Sequence, residues 1–177
     1  MLVLTAVVNS TRGRASPKRE LWLLALFNGE AKIGRTLMEV RDMQKINTND
    51  LPAETWPSAD GKFVLSGKEI SEALGRVPRS TDPIERHPFD VEIQHIPAGA
   101  AATVFHSHSA QWEFYHVLSG GGTVRHDSGT ESIFPGDAFI FKPGEAHQLL
   151  AGPEGLVMYV IADNPLDDRP KRFEPAP

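Results

Sequence analysis

From Phe89 to Ala162 the chain is cut into short β-like runs: FDVEIQHI, ATVFHSH, EFYHVLSG, GTVRH, ESIF, DAFIF, HQLL and LVMYVIA. The segments between them, PAGA, SGGG, HDSGT, PGD, KPGEA and AGPEG, are rich in Gly, Pro, Asp or Ser. Gly and Pro punctuate the backbone, so each cluster reads as a turn. Strands this short, repeated about every ten residues, favour an antiparallel sandwich or barrel. Asp127-Ser128-Gly129 is a good hairpin turn, with Gly129 free to take a positive φ. The expected fold is all-β.

The flanks differ. Residues 1–42 contain two apolar runs, MLVLTAVV and LWLLALF, both far below the ~18 residues needed to cross a bilayer. They read as a poorly packed extension, or as residues upstream of a true start at Met38 or Met43. Residues 43–88 form an arm and linker, in which MQKIN suits an edge strand and KEISEALG one or two helical turns ending at Gly75. The barrel is assigned to residues 89–163. Residues 164–177, proline-rich and charged, read as a loose tail.

Composition narrows the function. The net charge of −5 leaves no basic excess for nucleic acid as the main partner. With no cysteine, disulfides and thiolate chemistry are excluded, so a metal must be held by His, Asp or Glu. No membrane association is expected, and a cytoplasmic location follows from the same reading.

Three of the seven histidines fall in FHSHSAQWEFYHVLSG, residues 105–120. On a strand, alternate side chains share a face, so His106 and His108 point the same way, about 6.6 Å apart. Glu113 opens the next strand after a short turn, where it can close on the same point. His147, which opens the strand after KPGEA, supplies a fourth ligand. Three imidazoles and one carboxylate suit one divalent ion, Fe, Mn, Zn, Ni or Co. Such a set leaves two adjacent octahedral positions open, as catalysis requires. Its net charge of about +1 favours an anionic or chelating ligand.

These residues resemble the two cupin motifs. Gly99 to Gly120 is similar to the first, a glycine, His-x-His, four residues, Glu, six residues and a glycine. Six residues separate Gly99 from His106, one more than the family pattern. GDAFIFKPGEAH is similar to the second motif, with Gly136, Gly144 and His147 in place, the proline displaced to Pro143, and Ala151 where the family has asparagine. GKFVLSGKEISEALG also resembles a segment of small bacterial single-domain cupins. The resemblance implies a jelly-roll β-barrel holding one metal through His106, His108, Glu113 and His147.

Tyr115 shares the face of Glu113 and is the candidate catalytic residue, orienting substrate or relaying a proton; a core tyrosine with a bonded hydroxyl is the other reading. His95 shares a face with Val91 and Ile93 and is expected in the core. His87 and His126 sit by turns, and His116 faces away from the metal. The leading function is a metalloenzyme acting on a small oxygen-rich molecule: a sugar, sugar phosphate or hydroxy/keto acid. A non-haem Fe(II) dioxygenase and a non-catalytic sensing module remain open, since no acid–base pair is evident. Phe105, Phe114 and Leu118 lie opposite the ligands, so that face needs a cover, either the arm or a second subunit. A homodimer is expected.

Overall fold

The computed structural model describes residues 18–27, 30–39, 43–58 and 63–173. It divides into two units, Met1–Gln44 and Lys45–Pro177. In the first, β1 (Lys18–Phe27) and β2 (Glu30–Glu39) pair antiparallel, with Leu21 opposite Thr36. LWLLALF therefore lies in a hairpin strand. MLVLTAVV falls outside the described residues.

The second unit is one nine-stranded curled sheet. Its elements are β3 (Glu54–Pro57), β4 (Val64–Glu69), α1 (Ile70–Ala73), β5 (Asp90–Ile96), β6 (His106–Ser107), β7 (Glu113–His126), β8 (Gly129–Ile133), β9 (Ala138–Phe141), β10 (His147–Ala162) and β11 (Lys171–Arg172). This is the jelly-roll expected from the short runs. MQKIN, however, forms no strand. Its residues are mostly exposed, and the arm instead adds β3 and β4 beyond β5. KEISEALG gives one helical turn that ends where Gly75 takes φ +91°.

Two of the expected turns are not turns. SGGG lies inside β7 and AGPEG inside β10, and these two strands pair along their whole length, from His126–His147 to Glu113–Ala162. The register slips between the pairs Ala151–Gly122 and Leu156–Gly120. In β10 the buried positions are odd before the slip (His147, Leu149, Ala151) and even after it (Leu156, Met158, Val160, Ala162). In β7 they change from Tyr115 and Val117 to Val124. The slip thus keeps apolar side chains inside while the ribbon bends. The strands come so close there that a Cβ on Gly120 would stand 2.1 Å from the Gly155 carbonyl oxygen. One on Gly122 would be 2.0 Å from that of Leu150. Glycine is required for contact, not for a turn. The core around this ribbon is built from Ile96, Val117, Leu149, Leu156 and Met158.

The faces of β5 are the reverse of those expected. Asp90 and Ile96 are buried and His95 is exposed. His95 is therefore no core histidine, and Glu92 and Gln94 share the inner face. Residues 164–173, the described part of the expected tail, are not loose either. β11 pairs with β6, the Phe173 amide donates to Phe105 O (2.8 Å), and the two phenyl rings lie 5.7 Å apart. Arg125 sits 4.4 Å above the Phe105 ring. The cover for Phe105 thus comes from the C-terminal segment and not the arm. Leu118 remains 38% exposed. Across β9, β7 and β10 the outer face aligns Ile140, Phe114 and Ile161.

Candidate metal centre

His106 on β6 pairs directly with His147 at the start of β10, which places their rings 4.7 Å apart. His108 follows two residues on, with its ring 5.1 Å from that of His106. Glu113 opens β7 as expected, its Oε2 3.1 Å from His147 Nε2 and its Oε1 3.7 Å from His108 Nε2. One donor atom each of His106, Glu113 and His147 falls within 4.8 Å of the others. His108 stands just outside that group. The four residues read from the motifs are thus brought together, three tightly and one at the edge.

Hydrogen bonds fix how the imidazoles point. His106 Nδ1 lies 3.0 Å from Val104 O, and His147 Nδ1 3.3 Å from Glu145 O. A carbonyl only accepts, so these Nδ1 atoms carry the protons and each Nε2 presents a lone pair. His108 Nδ1 lies 2.7 Å from the Asp168 carboxylate, with the same consequence. His147 Nε2 and Glu113 Oε2 are then two acceptors facing each other at 3.1 Å, in a site where His147 is 1% exposed. A cation between them, a metal ion or a proton on His147, satisfies both. With the donor set present, a divalent ion fits.

Charge follows position. Burial, and then repulsion from His147, lower the His106 pKa, so the ring is neutral at pH 7 and free to donate its lone pair. Burial raises that of Glu113, but its pairing with His147 and the electrostatic pull of His147, His108 and His106 outweigh it and keep the carboxylate ionised. Tyr115 is buried, stacked on Phe139 at 5.1 Å, with its hydroxyl 3.4 Å from His147 Nε2. Burial and the nearby Glu113 push its pKa well up, so it stays a phenol. It lines neither of the cavities described next.

One cavity, of about 590 Å³, reaches His106, His108 and Glu113 and is walled by Trp56, Phe63 and Arg172. A second, of about 830 Å³, contains Glu69, Arg76, Asp90, Glu92 and Gln111, and His108 and Asp168 as well. His108 borders both. Strand register explains the acidic wall: Tyr115 and Glu92 both face Val160, from its two sides, and Glu69 faces Glu92 in turn. Burial first, then Glu92 and Asp90, raise the Glu69 pKa to about 7. Arg76 is buried against Asp90 at 2.8 Å. Asp168 is the other residue that the sequence reading passed over. Burial raises its pKa, but bonds from His108, Ala110 and Gln111 outweigh this and hold it at about 2. A signal was present in β5, where Asp90 and Glu92 stand at alternate positions, but the reversed face of β5 hid it.

Fold and site together define a class, a jelly-roll barrel with a histidine–glutamate cluster where the two ends of its curled main ribbon meet. A Cupin_2 (cupin domain) family model matches residues 92–162. No curated protein matches the chain significantly. Among solved structures, a sugar phosphate isomerase of the cupin superfamily from Silicibacter pomeroyi DSS-3 superposes with a TM-score of 0.60 at 18% identity. The match covers 74% of this chain and 82% of that one. A candidate sugar phosphate isomerase from Acidithiobacillus ferrooxidans ATCC 23270 gives 0.60 at 26% identity, over 70% and 75%. A predicted oxalate decarboxylase from Thermotoga maritima gives 0.56 at 17%, over 69% and 100%. At such identities the likeness carries the fold, and one fold hosts many chemistries. Among the described residues no helix is long and apolar enough to cross a membrane.

Proposed function

We propose that this protein is a metal-dependent enzyme acting on a small oxygen-rich molecule that chelates through adjacent oxygens, a sugar, sugar phosphate or hydroxy/keto acid. The observation that carries the reading is the common tautomer of three histidines whose Nδ1 atoms are all tied back. His106, His108, Glu113 and His147 would hold the ion, which supplies Lewis acidity toward a bound carbonyl or hydroxyl. Tyr115, locked as a phenol beside His147 and Glu113, positions that carboxylate and leaves proton transfer to others. Glu69 supports an enzyme over a passive binder, because a carboxyl near pH 7 can both accept and release a proton at neutral pH. The 26% identical Acidithiobacillus structure supports placing sugar phosphates among the substrates.

The test is elemental analysis of untagged protein, followed by turnover assays on aldose–ketose pairs, their phosphates and 2-hydroxy acids. Zinc, manganese, nickel or cobalt with isomerisation of one of these supports the reading. Iron with oxygen uptake replaces it by a dioxygenase, and a loaded protein that binds a panel member without turnover replaces it by a sensing module.

A further inference from the structure

The three imidazoles are not oriented in the same way. His106 and His147 each use a carbonyl two residues back in the chain, Val104 O and Glu145 O, just ahead of β6 and β10. The local entry into each strand therefore orients these two rings. His108 instead meets Asp168 Oδ2 at 2.7 Å, a residue 60 positions later. His108 also stands outside the tight group of His106, Glu113 and His147. We propose that Asp168 is a positioning residue that turns His108 Nε2 toward Glu113, so that the C-terminal segment completes the metal centre.

The proposal rests on the metal reading above and on the way Asp168 is itself held. Asp168 Oδ1 accepts the backbone N–H groups of Ala110 (2.9 Å) and Gln111 (3.2 Å), so its carboxylate cannot rotate freely. The loop between β6 and β7 and the C-terminal segment lace together further. The Arg169 amide donates to Ser109 Oγ at 2.8 Å, and the Trp112 amide to Asp163 Oδ1 at 2.6 Å. Beyond Asp168, β11 pairs Lys171 with Ser107 and Arg172 with His106. The strap is thus anchored on both sides of the carboxylate, directly over the ligand strand. A carboxylate on the second nitrogen of a ligating histidine fixes its tautomer and orientation and raises its basicity, and its loss costs about 10–100-fold in metal affinity.

Two measurements test the role, with Co²⁺ as the probe. In competition with a chromophoric chelator, Asp168→Ala is expected to bind Co²⁺ about 10–100-fold more weakly than wild type. Asp168→Asn, which keeps an acceptor, recovers part of the loss. If Asp168 acts through His108, the His108→Ala/Asp168→Ala double variant binds no more weakly than His108→Ala alone. Separately, long-range ¹H–¹⁵N spectra of the metal-free protein should show His108 losing its single Nδ1–H tautomer in Asp168→Ala, with His106 and His147 unchanged. Near-wild-type Co²⁺ affinity, additive losses, or an unchanged His108 tautomer would each overturn the positioning role. If wild type takes up no Co²⁺, the metal reading fails, and the tautomer alone decides whether Asp168 orients His108.

Discussion

Replacing Glu69 by Gln removes a carboxylate that the fold holds against its preference. Glu69 faces Glu92 across β4 and β5, and Asp90, Glu72 and Glu54 add repulsion to the burial that raises its pKa from 4.5 to about 7. A raised carboxyl pKa means that the folded state binds the proton more tightly than the unfolded one. The stability it contributes is complete below pH 4.5 and is lost as pH rises to about 7. At about 1.36 kcal/mol per pH unit the gap amounts to about 3.4 kcal/mol. Glu69 is only half-buried, and solvent screening cuts that to about 1–2 kcal/mol. Urea denaturation at pH 4, 6 and 8 is the assay. Glu69→Gln should match wild type at pH 4 and exceed it by about 1–2 kcal/mol at pH 8, with an intermediate gain at pH 6. A gain of equal size at every pH, or a loss at pH 8, would refute the argument that ionised Glu69 is strained.

Three more outcomes are expected. His106→Ala and His147→Ala should each lose most bound metal and, because the ion binds the folded state, melt roughly 5–10 °C lower than the loaded wild type; full stoichiometric metal in both would show the ligand assignment to be wrong. A chain beginning at Met43 should keep the melting temperature and metal uptake of the full chain, as the separate first unit suggests, and calorimetry on both decides it. Light scattering during size exclusion should report a dimer paired through the face of Ile140, Phe114 and Ile161, and a monomer mass at micromolar concentration would exclude it.

His106, His108, Glu113 and His147 were legible because strand alternation and a Gly-Pro turn fix their directions within a few residues. The runs at β5, β8 and β9 were legible too, whereas four other short runs merge into the long strands β7 and β10. Asp168 was not, since a charged, proline-rich segment has no periodicity, and the bonds that hold it come from residues about 60 positions away. Glu69 and Glu92 were hidden by a different effect. In β5 the apolar residues Val91 and Ile93 mark the face that turns outward, while Asp90 and Ile96 are buried. Tertiary packing overrode the local pattern there. SGGG and AGPEG misled because glycine signals close backbone approach as well as turns, and only the pairing of β7 with β10 tells which.

β10 has consequences for how the protein is made. It pairs with β5, β6 and β7, which all precede it in the chain. During synthesis these earlier strands emerge first and must wait for their shared partner. Until residues 147–162 leave the ribosome, β5 lacks its β10 partner, and β7 presents a long open edge. Exposed edges of that kind pair readily with other chains. Nascent chains stalled before β10 should therefore depend on chaperones, while chains released just beyond it can close in a single cooperative step.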